Sequence, residues 1–164
     1  MTEVISLGNG YRTLVDDADY EKLMQWEWHL LDRGRVQYAR RAEPNGGRYV
    51  TVLMHRQILG APKTVGVDHI NCDGLDNRRA NLRLASQIEN TRNARKTTLP
   101  TSSIYKGVSW NKPWGKWEAK IRIDGKLKHL GGFTTQADAA LAYNAAALEH
   151  FGEFAHLNVL QEPA

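Results

Sequence analysis

The order of apolar and polar positions divides the first third of the chain into short strands and helices. The segment "EVISLGNGYRTLVD" alternates on both sides of Gly8-Asn9-Gly10, which is typical of a β-hairpin. In "DADYEKLMQWEWHLL" the apolar residues lie partly at helical spacing, which predicts a short helix that leads into a strand. Two strand-like runs follow at Val36–Arg41 and Arg48–Met54, separated by Pro44-Asn45-Gly46-Gly47, and the second leads into a helical turn at His55–Leu59.

A break containing glycine and proline precedes a segment that predicts strand, loop, strand and helix in that order. "TVGVDHI" predicts a short strand, "NCDG" a tight turn and "NLRLAS" a second strand. Ser86 and Glu89 have the spacing of a capping box, so a helix should begin near Gln87 and carry Asn90 and Asn93.

The pattern changes after "ARKTTLPTSS", a polar, proline-containing stretch that we interpret as a linker. "YKGVSWNK", "GKWEAKIRID" and "KLKHLGGF" then predict three strands joined by glycine-containing turns. Alternation in the middle strand separates an apolar face from a charged face. The apolar face holds Trp117, Ala119, Ile121 and Ile123, and the charged face holds Glu118, Lys120 and Arg122.

An alanine-rich helix should follow these strands. "TTQADAALAYNAAALEHFG" has a capping-box-like start at Thr135 and Asp138, and Gly152 provides a stop. The alanines permit close approach to a sheet. A single stripe of this helix is predicted to hold Leu141, Asn144, Leu148 and Phe151.

Composition indicates a globular protein with an uneven positive charge. The chain has 164 residues, of which 41% are apolar, enough for one ordinary domain or two small ones. Residues 1–50 carry 7 Lys/Arg against 8 Asp/Glu, residues 51–96 carry 8 against 4, and residues 97–164 carry 7 against 6. In the last part every basic residue lies between Lys106 and Lys128. Two basic patches favour a polyanionic partner, and the alternative is an ordinary solvated surface.

Cysteine content and hydropathy exclude several classes of protein. The single cysteine, Cys72, allows neither a disulfide within the chain nor a zinc site built from cysteines. No apolar run reaches the ~18 residues that a membrane span requires. "MTEVISLGNG" lacks the basic and apolar regions of a signal peptide. We therefore expect a soluble protein of a reducing compartment, with no membrane association and no disulfide partner.

The stretch 67–93, "VDHINCDGLDNRRANLRLASQIENTRN", combines an adjacent acid and imidazole with repeated asparagines. Metal-assisted hydrolysis needs a base that activates water and a cation that stabilises phosphate charge. His69 can accept a proton near neutral pH, and Asp68 should point to the opposite face of the same strand. Asparagine oxygens are neutral hard ligands that suit Mg²⁺. Each feature alone is common in turns and on surfaces, and only their combination favours a hydrolytic site.

With "MHRQIL" before it, this stretch resembles the HNH family of ββα-metal nucleases, in particular its phage and intron-associated branch, over roughly residues 50–96. The resemblance implies that His69 activates the water, that Asp68 binds the metal and that Asn81 supports the catalytic histidine. Asn90 would complete the metal site, with Asn93 as its alternative. The implied cofactor is Mg²⁺ or Mn²⁺, and the implied substrate is double-stranded DNA.

Two more residues of this stretch have an expected role. His55 in "MHR" also recurs in that branch, where it would either contact phosphate or have a structural role. Asn77 is expected to shape the loop. Many HNH proteins add zinc-binding cysteine pairs as a scaffold. Because this chain has one cysteine, its scaffold should be ordinary apolar packing, which the Trp- and Tyr-rich N-terminal segment can supply.

The C-terminal part resembles the AP2/ERF DNA-binding domain in the segments "YKGV", "WGKW", "LGGF" and "AALAYNAAA". The resemblance implies a three-stranded antiparallel sheet, backed by one helix, that enters the major groove. For Trp110 and Trp114 the alternative is core packing or a turn anchor, and Trp117 is assigned to the core. Several arginines of plant members are replaced, so the plant target sequence is not transferred. The positions implied for DNA are Lys106, Trp110, Lys112, Trp114, Lys120, Arg122 and His129.

The predicted fold class is α+β. A small N-terminal β-rich segment is joined to a ββα-metal HNH module, and a three-stranded antiparallel sheet packed on one helix follows. The predicted boundaries are 1–96 for the nuclease domain (lead-in 1–50, ββα-metal core 51–96), 97–103 for the linker and 104–160 for the AP2/ERF-like domain.

The functional hypothesis is a homing-type DNA endonuclease in which the first domain cuts and the second positions it. It would act as a monomer or homodimer in the cytoplasm of a bacterial or phage-infected host cell. The alternative is a non-catalytic AP2-type transcription regulator with a vestigial HNH scaffold.

Overall fold

The computed structural model describes residues 1–96 and 101–161, and the chain divides into two compact units, Met1–Asn90 and Thr91–Ala164. The described residues form small antiparallel sheets and four α-helices, so the protein is of mixed α and β class. Part of the predicted linker at 97–103 lies outside the described residues. Ser103, at its end, is buried and donates a hydrogen bond from Oγ to Gln136 Oε1 (2.7 Å). No helix of the described part is both long and apolar enough to cross a bilayer.

The first unit begins with the predicted hairpin. Strands β1 (Thr2–Ser6) and β2 (Arg12–Asp16) pair antiparallel, and helix α1 (Asp17–Leu23) continues directly from β2. The buried indole of Trp28 donates from Nε1 to the carbonyl of Leu23 at 2.8 Å, which closes the end of α1. The predicted short helix is thus confirmed.

A second sheet contains strands β3 (His29–Asp32), β4 (Gln37–Asn45) and β5 (Arg48–Leu53), in the order β3–β4–β5. The predicted break at Pro44–Gly47 is two residues too long, because β4 continues through Pro44 and Asn45. β3 pairs with β4 only as far as Arg40, so the missing N–H of Pro44 costs no bond in that ladder. Helix α2 (Met54–Leu59) follows β5 directly, as predicted.

The central stretch has the predicted order of strand, loop, strand and helix. Strands β6 (Gly66–His69) and β7 (Leu82–Ala85) pair antiparallel, and helix α3 (Gln87–Asn93) follows. The capping box is confirmed in both directions. Ser86 N donates to Glu89 Oε2 at 2.7 Å, and Glu89 N donates to Ser86 Oγ at 3.3 Å.

One apolar cluster joins these elements of the first unit. It takes residues from the hairpin, both early helices and strands β4, β6 and β7, so the central stretch packs on the N-terminal lead-in. Burying such side chains stabilises each by about 1.5–3 kcal/mol relative to exposure. The buried members are Ile5, Leu7, Val15, Leu23, Trp28, Ala39, Met54, Ile58, Val67 and Leu82.

The second unit has three antiparallel strands and one long helix. Strands β8 (Val108–Asn111), β9 (Lys116–Ile123) and β10 (Lys126–Phe133) are ordered β10–β9–β8, and helix α4 (Gln136–Phe151) packs on them. Thr135 Oγ1 accepts from Asp138 N at 3.1 Å, which confirms the predicted start. The predicted alternation of β9 is also confirmed, because Ala119 and Ile121 are buried while Arg122 is exposed.

Close packing between helix and sheet explains the glycine of "YKGV". Gly107 has φ +75°, and a Cβ there would lie 2.0 Å from Cδ2 of Tyr143, a buried α4 residue. No side chain fits at this position without moving the helix.

The predicted stripe of α4 is not its buried face, because only Phe151 of its four residues is buried, whereas the alanines approach the sheet closely as predicted. Leu141 and Leu148 are 51% and 58% exposed, and the face on the sheet consists mainly of alanines. Small side chains bring the helix axis close to the sheet, so the leucines are excluded from that interface and point outward. The buried side chains of α4 are Ala139, Ala140, Tyr143, Ala147 and Phe151.

Helix α2 places an imidazole inside the first unit. His55 is 5% exposed, and its Nδ1 has no hydrogen-bond partner among the described residues. Burial, followed by the proximity of His69 and Arg56, lowers the pKa of His55 to about 3. The ring is therefore neutral at physiological pH.

The alanine face of α4 generates a prediction about stability. Ala147→Leu should destabilise the second unit by about 1–3 kcal/mol because the added atoms have no space against the sheet. Leu148→Ala, the adjacent control, should change stability by less than about 0.5 kcal/mol because that side chain is mostly exposed. Urea unfolding of both variants measures the difference, and equal losses would show that the alanine face is not tightly packed.

The buried imidazole of His55 should make stability depend on pH. Its folded pKa of about 3 lies below the ordinary 6.5, so the unfolded chain binds a proton between these pH values that the folded chain does not. The contribution of His55 to the free energy of unfolding should therefore be fully present above pH 6.5. Below that it should fall by up to about 1.4 kcal/mol per pH unit for this group.

Urea midpoints measured in EDTA from pH 7 to pH 4 test this prediction. His55→Gln and His55→Phe should both flatten the decline relative to wild type. An unchanged slope in both variants would contradict it.

Candidate functional site

The loop between β6 and β7 is held by its own asparagine and aspartate side chains. Asn71 N donates to Asn81 Oδ1 and Asn81 Nδ2 donates to Asn71 Oδ1, both at 2.9 Å, so the two residues close the loop reciprocally. Asp76 is buried and accepts two hydrogen bonds from the Arg78 guanidinium, each 2.7 Å long. The repeated Asn and Asp residues thus satisfy polar groups of a loop with little apolar content.

This loop is also bound to the N-terminal hairpin. Leu14 N donates to Leu75 O, and Asn77 N donates to Leu14 O, both at 2.8 Å. Asn77 is fully buried, and its Nδ2 donates to Thr13 Oγ1 at 2.8 Å. Gly74 packs on the second sheet, because a Cβ there would lie 2.2 Å from Gln37 O. Two separate elements, strand β2 of the hairpin and strand β4 of the second sheet, therefore hold the loop.

The His69 ring lies at the end of β6, inside this framework. It is 6% exposed, and its Nε2 is 3.2 Å from Asn77 Oδ1. Because Asn77 Nδ2 is engaged by Thr13, the oxygen of the amide faces the imidazole and accepts from Nε2–H. The neutral tautomer therefore carries its lone pair on Nδ1. Burial lowers the pKa of His69, and the hydrogen bond with Asn77 opposes that shift.

Tyr38, His55 and His69 form a cluster of three rings. The His55 and His69 centroids are 4.9 Å apart at an interplanar angle of 87°, an edge-to-face contact. The Tyr38 ring on β4 lies 5.4 Å from His55 and 5.9 Å from His69. His55 is buried and neutral, which favours the structural alternative for this residue over direct phosphate contact.

Asp68 and Arg83 form a buried ion pair across β6 and β7. Asp68 is 3% exposed, and its Oδ2 accepts from Nε and Nη2 of Arg83 at 2.9 and 2.7 Å. The two residues are direct neighbours in the register. Asp68 faces Arg83 and His69 faces Leu82, which agrees with the expected alternation of the strand.

Asn90 and Asn81 differ in their surroundings. Asn90 is half-buried on α3, and its carboxamide makes no hydrogen bond with the described residues. The Asn81 side chain bonds to Asn71 and to the Asp76 carbonyl, and not to the His69 ring, among the described residues. Its main-chain carbonyl accepts from Ile70 N at 2.9 Å, beside His69. Asn93 is buried at the end of α3, within the second unit.

The candidate metal ligands suit a hard cation that the substrate helps to coordinate. The described residues contain no group of three or more His, Cys, Asp or Glu side chains that could hold an ion. Asp68 and Asn90 supply carboxylate and carboxamide oxygens, the donor types that Mg²⁺ and Mn²⁺ accept. Mg²⁺ in nucleotide-processing sites keeps several waters and often takes one or two carboxylates plus phosphate oxygens. The donor chemistry therefore fits that kind of ion and does not fit structural zinc.

In the second unit, one buried acid contacts two of the residues predicted to bind DNA. Glu118 is 6% exposed, and its carboxylate lies 2.6 Å from Lys120 Nζ and 2.9 Å from His129 Nε2. The hydrogen bond from Lys120, with the charges of Lys120 and His129, holds the pKa of Glu118 below its usual range. The Trp114 ring is 60% exposed and meets His129 edge-to-face at 5.5 Å.

The remaining predicted DNA-binding residues lie in different settings. Arg122 is exposed on β9, and its Nη1 donates to Gly125 O at 2.7 Å. Lys112 is exposed in the β8–β9 turn. Trp110 is 40% exposed and contacts half-buried Trp117 at 5.2 Å, so it is partly a packing residue. Lys106 Nζ donates to the carbonyls of Arg92 and Ala94, at 2.6 and 2.7 Å, near the end of α3.

The sequence did not indicate three partners of the predicted site residues. The partner of His69 Nε2 is Asn77, which was expected only to shape the loop. Tyr38, which contacts the His69 ring, lies 31 positions earlier on a strand of another sheet. Arg83 binds Asp68 across β6 and β7, and the alternation of β7 places it there only once the register of the two strands is known.

Comparison with known proteins gives a family match over the central stretch of the chain. The family model for HNH endonuclease matches residues 48–92, which extend from β5 into α3. An uncharacterized HNH endonuclease of Acanthamoeba polyphaga mimivirus is 34% identical over 156 residues, covering 94% of this chain and 79% of the relative. No solved structure matches the chain.

Two plant proteins of Arabidopsis thaliana are similar to parts of the chain. Dehydration-responsive element-binding protein 2D is 48% identical over 60 residues, which is 35% of this chain and 29% of that protein. An ethylene-responsive transcription factor is 33% identical over 102 residues, or 58% of this chain and 60% of that protein. The chain thus spans less than two thirds of either plant relative. Because the viral HNH endonuclease aligns with 94% of this chain, the chain belongs to the HNH endonuclease family. It also carries a part similar to AP2/ERF proteins.

Proposed function

We propose that the protein is a metal-dependent DNA endonuclease in which the first unit cuts and the second binds the target. The observation that carries the proposal is the 3.2 Å contact between Nε2 of the buried His69 ring and Asn77 Oδ1. If Nε2–H is given to Asn77, Nδ1 is the basic atom of the ring and has one orientation. Asp68 precedes His69 on the same strand.

In the proposed mechanism, Nδ1 of His69 removes a proton from a water molecule as the water oxygen bonds to phosphorus. The bond from phosphorus to the 3′ oxygen breaks in the same displacement. Asn77 stabilises the imidazolium that forms, because its oxygen accepts from the opposite ring nitrogen. His55 and Tyr38 keep water from the other faces of the ring and hold its plane.

Asp68 and Asn90 are the proposed ligands of Mg²⁺ or Mn²⁺. When bound, such an ion stabilises negative charge on the phosphate and the leaving oxygen. Arg83 keeps the Asp68 carboxylate in place through two hydrogen bonds to one oxygen. Asn81 acts through the loop, because its bonds to Asn71 and Asp76 fix the segment that follows His69.

The outer face of the sheet in the second unit is the proposed target-binding surface. By register, this face presents Glu118, Lys120, Arg122, Leu127 and His129, away from α4. Lys120 and His129 must leave Glu118, at least in part, to contact DNA. Trp114 and Arg122 already face solvent. Lys106 would first have to release the carbonyls that it binds, so we assign it a secondary role.

The alternative function is a DNA-binding regulator that does not cut. The similarity of part of the chain to plant transcription factors favours it. Cleavage itself distinguishes the two, since a regulator requires neither a base nor a metal.

Loss of the proposed base should abolish most cleavage. His69→Ala should reduce the single-turnover rate of Mg²⁺-dependent plasmid cleavage by about 10²-fold or more. Glu21→Ala, which truncates an exposed side chain on α1 of the same unit, should leave the rate within about twofold. Equal rates for wild type and His69→Ala would refute the role of His69. No metal-dependent cutting by wild type would favour the regulator.

Charge on the outer face of the second sheet should control binding and not chemistry. Arg122→Gln should weaken duplex binding about tenfold and leave the rate at saturating DNA unchanged. Lys128→Gln is the matched control, because Lys128 pairs with Ile121 and so belongs to the other face of the sheet. Fluorescence anisotropy in EDTA at several salt concentrations measures affinity. Equal losses in both variants would exclude a specific role for the outer face.

A further inference from the structure

Arg40 on β4 differs from the neighbouring arginine in the partners of its guanidinium. It makes no side-chain hydrogen bond or ion pair with the described residues, and its Nε is buried without an acceptor among them. Arg41 instead has hydrogen bonds to Gln57 Oε1 (3.0 Å) and Glu43 Oε1 (3.1 Å). A half-buried charge without a protein acceptor is unfavourable, so Arg40 would gain from contact with an anion.

Arg40 lies on the face of β4 that leads to the candidate active site. Tyr38 is two residues earlier on the same strand, so both side chains leave the same face of the sheet, about 7 Å apart along the strand. Tyr38 contacts the rings of both His55 and His69. Arg40 pairs in register with Leu53, which is followed by Met54 and His55 in α2. Arg40 therefore lies two residues along β4 from Tyr38, the member of the three-ring cluster on that strand.

The same face is open beyond Arg40. Ala42 pairs with Thr51 and Pro44 pairs with Tyr49, and all four are exposed, Tyr49 by 77%. Paired residues of an antiparallel ladder share a face. A surface therefore extends from the ring cluster past Arg40 to the tip of the β4–β5 hairpin, and a large ligand can lie along it.

We propose that Arg40 binds a backbone phosphate of the DNA that His69 cleaves, with the β4–β5 hairpin lying along the duplex. The planar guanidinium matches a phosphate through two parallel N–H···O bonds. Arg40 supplies a positive charge two residues along the strand from Tyr38, which contacts the His69 ring. This inference rests on the proposed nuclease function, and its test separates the two.

Full-length Arg40→Gln is compared with Arg48→Gln, which removes the same charge from the opposite face of the same hairpin. With a 30-base-pair duplex in EDTA, Arg40→Gln should lower the slope of log affinity against log salt by about 0.9, the value of one phosphate contact. Arg48→Gln should keep the wild-type slope. In Mg²⁺ at subsaturating DNA, Arg40→Gln should cut about 10- to 100-fold more slowly, and Arg40→Lys should recover part of the rate.

Thermal unfolding without DNA distinguishes binding from a structural role. Arg40→Gln should unfold at the same temperature as wild type or higher, because it removes a charge that has no partner in the free protein. A clear drop relative to Arg48→Gln, or equal salt slopes for the two variants, overturns the proposal. If wild type does not cut but Arg40→Gln alone lowers the slope, the phosphate site stands and the nuclease function falls.

Discussion

The candidate active site depends on the hydrogen bond between His69 and Asn77, and that bond depends on the N-terminal hairpin. Asn77 is fully buried, so its amide must find partners within the protein or lose them altogether. Thr13 of β2 takes the donor side of the amide, and the oxygen side remains for the imidazole. The tautomer of His69 is thus determined by a residue 56 positions earlier in the chain, on a different sheet. This explains why the β-rich lead-in is part of the functional unit: without it, the loop would lose both its anchor and the orientation of its key amide.

Charge pairing inside the free protein differs between the two proposed DNA-contacting regions. In the second unit, Lys120 and His129 share Glu118, so binding to phosphate must replace ion pairs that already exist. Such an exchange yields less net free energy than a new contact and makes binding sensitive to the geometry of the partner. In the first unit, Arg40 has no described partner and exchanges nothing. We therefore expect the second unit to select among DNA sites. We expect the first unit to gain more binding free energy from each phosphate contact.

Local sequence patterns predicted the elements but not the contacts between them. The hairpin, the capping box at Ser86 and Glu89, and the alternation of β9 depend on neighbours along the chain, and each was found. The stripe predicted for α4 was not its buried face, because the helix packs on the sheet through alanines and its leucines point outward. Helical periodicity alone does not show which face of the helix meets the sheet. Within the site, Asp68 and His69 could be selected from one short stretch. The partners Asn77, Tyr38 and Arg83 required knowledge of which strand faces which, and Tyr38 came from a separate sheet.

The balance of stability also bears on the choice between a nuclease and a regulator. His55 Nδ1 and Arg40 Nε are buried without described partners, and the Asp68–Arg83 pair is buried where apolar residues of similar size would be at least as stable. A scaffold that only holds a DNA-binding unit would be more stable without these buried polar and charged groups. Neither the apolar cluster of the first unit nor the capping box requires them. A cleavage site has a use for all of them, because Asp68 would then hold a cation, Arg40 would bind a phosphate and His55 packs on the proposed catalytic ring. The unfavourable groups lie around His69 and along the strand that leads to it, which is where a cleaving enzyme would concentrate them.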